Sequence, residues 1–122
     1  MIRAASDDMQ KIAIKPLSVN DAWKGRRFKT DNYKAYERAV LLSLPRKLTI
    51  PEGLLCLRLE FGFSSKSSDW DNPVKPFQDI LQKKYNFDDN RIKLAVVVIN
   101  NNVKKGDEYT KFAIESLSEV IA

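Results

Sequence analysis

The sequence has 122 residues, of which 43% are hydrophobic and 30% charged, with a formal net charge of +5 at pH 7. A chain of this length folds as one domain, and its apolar content is too high for a disordered segment. A single cysteine, Cys56, and no histidine exclude an intrachain disulfide, a zinc knuckle and every catalytic triad that uses histidine. The remaining chemistry belongs to carboxylates, lysine, hydroxyls and hard metal ions.

The distribution of charge along the chain is uneven. Residues 1–47 contain eleven Lys or Arg against five acids, whereas residues 48–89 contain five against seven. A basic segment beside an acidic centre suits a metal nuclease, because cations attract phosphates while carboxylates hold the metal. Ordinary solvated surface charge is the alternative.

Targeting signals are not evident. No stretch approaches the roughly 20 apolar residues that a membrane span needs, and the first residues lack the apolar run of a signal peptide. We therefore expect a cytoplasmic protein with a single domain over residues 1–122, in which residues 1–8 form a loose tail.

The first predicted elements are a short strand and a helix. Residues 11–17 alternate apolar and basic side chains, which predicts a strand, and a polar loop over 18–30 follows. Asp31 is the predicted N-cap of a helix that runs to about Leu44, where Pro45 prevents continuation. Four residues at helical spacing are predicted to be core: Tyr33, Tyr36, Val40 and Leu44.

The next strand and helix flank a serine-rich turn. Residues 54–63 alternate strictly, which predicts a strand with Leu55, Leu57, Leu59, Phe61 and Phe63 on one face and Cys56, Arg58 and Glu60 on the other. Residues 72–84 are predicted to form a helix with Asn72 as N-cap and Pro73 at the first position, although Pro76 leaves open a start one turn later. The predicted buried stripe consists of Val74, Phe77 and Leu81.

Two further strands complete the predicted fold. Residues 92–99 are rich in valine and isoleucine, which is typical of a central strand, and residues 109–114 are predicted to pair with them as a hairpin arm across residues 105–107. The predicted order is β-α-β-α-β-β. The simplest packing is an α/β fold of the α+β-like kind, in which one mixed sheet is covered by two helices.

Candidate catalytic residues are concentrated where the long strand is followed by the second helix. Asp69 and Asp71 lie two residues apart, so in an extended segment both carboxylates point the same way and can bind one hard cation. Lys75 and Asp79 continue at a helical spacing of four, which would place an ammonium group beside the acids, where it can contact a phosphate. Each feature alone also has a structural explanation as a cap or a turn.

Asp88 and Asp89 form a second acidic pair just before the next strand. A helix over residues 72–84 is about 20 Å long, so this pair can join the first only if residues 85–89 lead back across the helix. The spacing alone does not decide this.

Residues 69–81 resemble the motif D-x-D-N-x-x-K-P-x-x-D-x-L of RusA-type Holliday-junction endonucleases. Residues 87–92 resemble the second motif of that family, an acidic pair followed by a strand-opening aliphatic residue, and residues 16–20 are similar to its N-terminal P-x-S-x-N segment. The matches agree in order and spacing and span most of the chain. Ser68 departs from the family, since many relatives have a basic residue there, and Lys66 is the expected substitute.

The resemblance implies a homodimer that depends on Mg²⁺, with Mn²⁺ as the alternative, and that makes paired symmetric nicks in four-way DNA junctions during recombination and repair. It implies that Asp69, Asp71 and Asp89 bind the metal and that Lys75 joins them as a catalytic residue. The expected reaction is metal-assisted phosphodiester hydrolysis, in which Lys75 neutralises charge on the phosphorus. Supporting roles are expected for Asn72 as helix cap, Asp79 as partner of Lys75, and Asp88.

The segment over residues 23–29 alternates cations with two aromatic residues, which suits phosphate contacts and stacking on unpaired bases at a branch point. The expected DNA-binding residues are Lys24, Arg26, Arg27 and Lys29, with Lys104 and Lys105 as weaker candidates. The alternative is a solvated loop with Trp23 and Phe28 buried in the core.

Two other functions stay open. A catalytically inactive module that binds branched DNA would share the basic segment but would not need Mg²⁺. A protein unrelated to nucleic acids, with a coincidental acidic motif, would show no DNA binding that weakens steeply with salt.

Overall fold

A four-stranded mixed sheet forms the centre of the molecule. The structure is a computed structural model, and it describes residues 9–17, 23–24, 28–66 and 68–121. The elements in chain order are β1 Gln10–Ile12, β2 Trp23–Lys24, β3 Phe28–Lys29, α1 Asp31–Ser43, β4 Leu55–Gly62, α2 Val74–Tyr85, a 3₁₀ turn Asp89–Arg91, β5 Ile92–Asn100, β6 Tyr109–Ser116 and α3 Leu117–Val120. None of the helices within these residues has the length and apolar character needed to cross a membrane.

The sheet has the strand order β1-β6-β4-β5. β4 runs parallel to β5 and antiparallel to β6, and β6 runs antiparallel to β1. Parallel neighbours need a crossover connection, and α2 supplies it between β4 and β5. The predicted mixed α/β sheet with covering helices is confirmed, and the structure adds the two-stranded β2–β3 ribbon and the short α3.

The core lies between the sheet and the two long helices. The predicted apolar face of β4 packs against buried residues from both helices, and Phe77 of α2 contacts two sheet residues edge-on, with ring centroids 6.3 Å from Phe61 and 5.7 Å from Phe112. The buried helix residues of this cluster are Tyr33, Tyr36 and Val40 from α1 and Phe77, Ile80 and Leu81 from α2. The predicted helix stripes are therefore core, although Val74 is only partly buried.

β4 is buried on both of its faces. On the face away from the helices, Cys56 and Arg58 are fully buried. The Arg58 guanidinium donates a hydrogen bond from Nε to Glu115 Oε1 of the neighbouring β6, at 2.5 Å. A buried cation needs such a partner, because desolvation of an unpaired charge costs several kcal/mol. An ion pair therefore takes the place of apolar packing on this face.

The N-terminal caps of α1 and α2 differ from those predicted. Thr30 rather than Asp31 caps α1, since its Oγ1 accepts a hydrogen bond from the Tyr33 amide at 3.0 Å and Asp31 is the first helical residue. α2 begins at Val74 with Pro73 as an N-cap that makes no side-chain cap bond, so the capping role predicted for Asn72 is wrong.

The strand predictions are corrected in three places. β1 ends at Ile12 instead of continuing to residue 17. β5 is an edge strand of the described sheet and not a central one. β6 is not its hairpin partner, because the chain crosses over β4 and β6 pairs with β4 and β1. An apolar run predicts a strand but carries no information about its neighbours.

Tyr36 and Tyr85 differ in whether their hydroxyl groups are hydrogen-bonded, so removing each hydroxyl should change the stability of the fold in opposite directions. The Tyr36 hydroxyl is buried and has no hydrogen-bond partner within the described residues, whereas Tyr85 donates to the Pro45 carbonyl at 2.7 Å. Tyr36→Phe should raise the free energy of unfolding by about 1 kcal/mol, because it removes an unsatisfied polar atom. The matched change Tyr85→Phe should lower it by about 1 kcal/mol. Urea denaturation of both variants measures this, and equal effects would contradict the packing described for Tyr36.

Candidate active site

The loop that follows β4 is held at the carboxyl ends of the two parallel strands. The Phe63 amide donates to the Asn100 carbonyl at 2.8 Å, and the Val103 amide donates to the Phe63 carbonyl at 3.2 Å. Lys66 Nζ donates to Asn102 Oδ1 at 2.7 Å. Lys66, the predicted substitute for a basic residue at position 68, thus contacts the segment after β5.

Gly62 and Tyr109 determine how β4 ends before this loop. A Cβ atom at Gly62 would lie 2.2 Å from the Tyr109 ring, so the ring occupies the space that any other side chain would need. The Tyr109 hydroxyl donates to Glu60 and accepts from Asn100 Nδ2 at 3.2 Å. Burial, and then the hydrogen bond to Glu60, raise the pKa of Tyr109. Asn100 therefore joins this ring to the Phe63 backbone.

Asp69 and Asp71 both lie on the surface, just before α2. Asn72 Nδ2 donates to Asp69 Oδ2 at 3.3 Å, which orients the first carboxylate and explains why Asn72 does not cap the helix. Trp70 stands between the two acids with 61% of its surface exposed, an unusual exposure for so large an apolar side chain. Sequence reasoning gave Trp70 no role, and its position between two candidate ligands was the available signal.

Lys75 lies on the first turn of α2, four residues after Asp71. Its ammonium group donates to Asp79 Oδ1 at 2.7 Å, as predicted from the spacing, and its side chain is 57% exposed. An exposed pair of this kind contributes little to stability. The pairing leaves the ammonium group accessible to a phosphate while fixing its place beside the acidic loop.

Asp88 and Asp89 lie at the opposite end of the sheet. In the parallel register Leu55 is level with Ile92 and Gly62 is level with Asn100, so the turn before β5 and the loop after β4 are at opposite strand ends. α2 has 12 residues and a length of about 18 Å, and it spans this distance. The chain does not lead back across the helix.

The two members of this acidic pair have different surroundings. Asp88 Oδ1 accepts a hydrogen bond from the Asn90 amide at 3.0 Å and caps the 3₁₀ turn. Arg91 fixes the end of the turn by donating to the carbonyls of Pro51 and Gly53. Asp89 is an exposed residue in the first position of the turn. These contacts give Asp88 a structural role and present Asp89 at the surface.

Within the described residues, no three carboxylate or thiolate side chains lie close enough together to hold one metal ion. The carboxylates themselves are the oxygen ligands that Mg²⁺ prefers. The chemistry of the predicted donors therefore suits the metal, but a single chain does not bring Asp89 to Asp69 and Asp71.

The predicted DNA-binding residues are only partly described. Arg26 and Arg27 lie outside the described residues, and for Lys24 the structure gives only the backbone of β2. Lys29 lies in β3, with its ammonium 3.0 Å from Glu37 Oε2 and 4.9 Å from the centroid of the Tyr33 ring. The two other basic candidates, Lys104 and Lys105, are exposed in the connection between β5 and β6.

Comparison with protein-family models and with the sequences of characterised proteins finds no match for the chain. The resemblance to RusA-type endonucleases accordingly depends on the motif residues alone.

Proposed function

We propose that the chain is a structure-selective endodeoxyribonuclease that resolves four-way DNA junctions as a Mg²⁺-dependent homodimer. The observation that supports this most directly is the surface formed by Asp69, Asp71 and Lys75, in which two exposed carboxylates and an accessible ammonium group adjoin the start of α2. Carboxylates that bind a hard cation and a lysine that contacts phosphate are the groups that phosphodiester hydrolysis requires.

The separation of the acids favours a dimer. β5 pairs only with β4 among the described strands, and its one charged residue is Lys93 near its start, whereas residues 94–102 contain no charge that would discourage pairing of the free edge. If two β5 strands pair antiparallel about a two-fold axis, the start of one strand lies beside the end of the other. Asp89 of one copy is then brought toward Asp69 and Asp71 of the second copy.

This arrangement accounts for a site that is incomplete in one chain. It provides two equivalent sites related by a two-fold axis, and a symmetric junction needs two symmetric cuts. Lys75 would donate to a non-bridging oxygen of the scissile phosphate and stabilise the charge that develops on it. Asp79 would keep the Lys75 ammonium in place, and Asn72 would do the same for the Asp69 carboxylate.

The second candidate is a branched-DNA binding module without catalysis. The observation that favours it is the absence of a three-carboxylate cluster within the described residues of one chain. Such a module would bind junctions through its basic segment, with an affinity that falls steeply as salt rises, and would cut none of them.

Cleavage of a labelled four-way junction in Mg²⁺, with a linear duplex of matched sequence, separates these candidates. We expect symmetric nicks in the junction alone, and Asp71→Asn should lower their rate by more than about 100-fold without loss of binding. Asp107→Asn is the matched control, since it removes the same charge from an exposed connection that contains no candidate metal ligand. Binding without any cleavage by the wild-type protein in Mg²⁺ or Mn²⁺ would favour the binding module.

A mixture of two inactive variants tests whether the site is shared between copies. Asp71→Asn and Asp89→Asn should each be inactive alone, because every site loses one ligand. In a mixed dimer one shared site contains both changes and the other contains neither, so refolding the two variants together should restore nicking at about a quarter of the wild-type rate. No recovery in mixed dimers that are shown to form would contradict a site shared between the two copies.

Val96→Lys tests the proposed β5 interface. Val96 is half-buried near the middle of the edge strand, and a lysine there would place like charges close together across the two-fold axis. Sedimentation should show a dimer for the wild-type protein and a monomer without nuclease activity for this variant. Leu42→Lys, at an 82% exposed position of α1, adds the same charge elsewhere and should leave the dimer intact.

A further inference from the structure

The β2–β3 ribbon carries the basic segment, and its base is attached to α1. β2 and β3 pair with Trp23 opposite Lys29 and Lys24 opposite Phe28. β3 is followed directly by Thr30, the N-cap of α1. The orientation of the ribbon therefore depends on contacts made where it joins the helix.

Glu37 of α1 connects this base to α2. Its two carboxylate oxygens accept hydrogen bonds from two lysines, Lys29 at 3.0 Å and Lys83 of α2 at 3.5 Å. The Glu37 side chain is only 15% exposed, compared with 34% for Lys29 and 60% for Lys83. An ion pair that is largely shielded from water is less weakened by salt than a fully exposed one.

Tyr33 of α1 interacts with Lys29 of the ribbon and is also affected by the charge of Asp79, the partner of Lys75. The Lys29 ammonium lies 4.9 Å above its ring, a geometry in which a cation is attracted to the aromatic face. Burial, followed by the negative charges of Asp79 and Glu37, raises the pKa of Tyr33 to about 12. The buried ring thus lies within electrostatic range of both the ribbon anchor and the candidate catalytic helix.

The charge state of Glu37 is consistent with these contacts. Burial by itself would raise the pKa of Glu37, but the hydrogen bond and charge of Lys29, with a further contribution from Lys83, lower the pKa below its ordinary value. The carboxylate is therefore ionised at neutral pH, and both lysines have a permanent counter-ion.

We propose that Glu37 is a positioning residue that holds the β2–β3 ribbon against α1 and α2 through Lys29, and that Lys29 anchors the ribbon instead of binding phosphate. The contact with DNA then belongs to the other cations of the segment. This inference rests on the proposed function for its binding assay, but the attachment of the ribbon can be measured without DNA.

The direction in which Glu37→Gln changes the affinity for a DNA junction shows whether Lys29 anchors the ribbon or binds phosphate. If Lys29 binds phosphate and Glu37 merely competes for it, Glu37→Gln removes a negative charge near the DNA and should tighten junction binding. If Glu37 positions the ribbon, Glu37→Gln should weaken binding by about five-fold, because the ribbon must then be ordered when DNA binds.

The dependence of affinity on salt provides an independent measurement. Loss of one phosphate contact lowers the slope of log K against log salt concentration by about 0.9. We expect that change for Lys24→Gln, whereas Lys29→Gln should reduce affinity without changing the slope. In cleavage assays Glu37→Gln should raise KM and leave kcat unchanged, since the reacting groups are not altered.

The exchanged pair Lys29→Glu with Glu37→Lys should recover most of the lost affinity if the interaction between them is what matters. Recovery is expected to be incomplete, since Lys83 then faces a lysine. The exchanged pair also keeps the net charge of the protein. If Glu37→Gln does not fold, the exchanged pair still tests whether Glu37 and Lys29 anchor the ribbon. Tightened binding by Glu37→Gln, or a slope lowered by Lys29→Gln, would overturn the inference.

Amide hydrogen exchange in the absence of DNA tests the anchoring role of Glu37 independently of the proposed nuclease function. Glu37→Gln should accelerate exchange in the paired strands, at residues 23–24 and 28–29, and leave β4 unchanged, because only the attachment of the ribbon is weakened. If the wild-type protein binds no branched DNA, the proposed function fails while this readout still decides the role of Glu37. Unchanged exchange in the ribbon would show that Glu37 does not hold it.

Discussion

The parallel pairing of β4 with β5 determines where the candidate catalytic residues lie. Parallel neighbours cannot be joined by a tight turn, so the chain must return along the whole length of the sheet, and α2 makes that return while burying Phe77, Ile80 and Leu81. The residues before α2 and those after it are therefore kept at opposite strand ends. The same constraint that builds the core separates Asp69 and Asp71 from Asp89, so only a second copy or a different chain path could unite them.

The two faces of the sheet are stabilised by different interactions. The helix-covered face is apolar and depends on close packing, including the edge-on contacts of Phe77. The other face of β4 has the buried Arg58–Glu115 pair and the hydrogen bond from Tyr109 to Glu60. Buried ionic groups tolerate few alternative partners, because displacement by one residue would leave a charge unpaired. This face therefore specifies the register between β4 and β6 more strictly than apolar packing alone would.

Local patterns predicted local structure well, and pairings between distant segments poorly. The alternation of β4 and the helical spacing of α1 and α2 follow from which side chains must be buried, and the structure confirms them. The edge position of β5 and the pairing of β6 with β4 depend on topology, which no local pattern encodes. For the candidate site, the pairing of Lys75 with Asp79 was predictable because four residues separate them on one helix. The location of Asp89 was not, since it depends on the direction of the strand that follows. Asn72 shows a further limit, because a good capping residue bonded instead to a nearby carboxylate.

The close approach of Gly62 to Tyr109 has a consequence for how this sequence can evolve. Any side chain at position 62 would displace the aromatic ring, and the ring is joined through Asn100 to the backbone of Phe63, where the acidic loop begins. Residue 62 has no chemical group that could take part in a reaction, yet the placement of the loop depends on it. A larger residue at position 62 would be tolerated only with a smaller residue at position 109. The two positions should therefore change together among descendants of this chain.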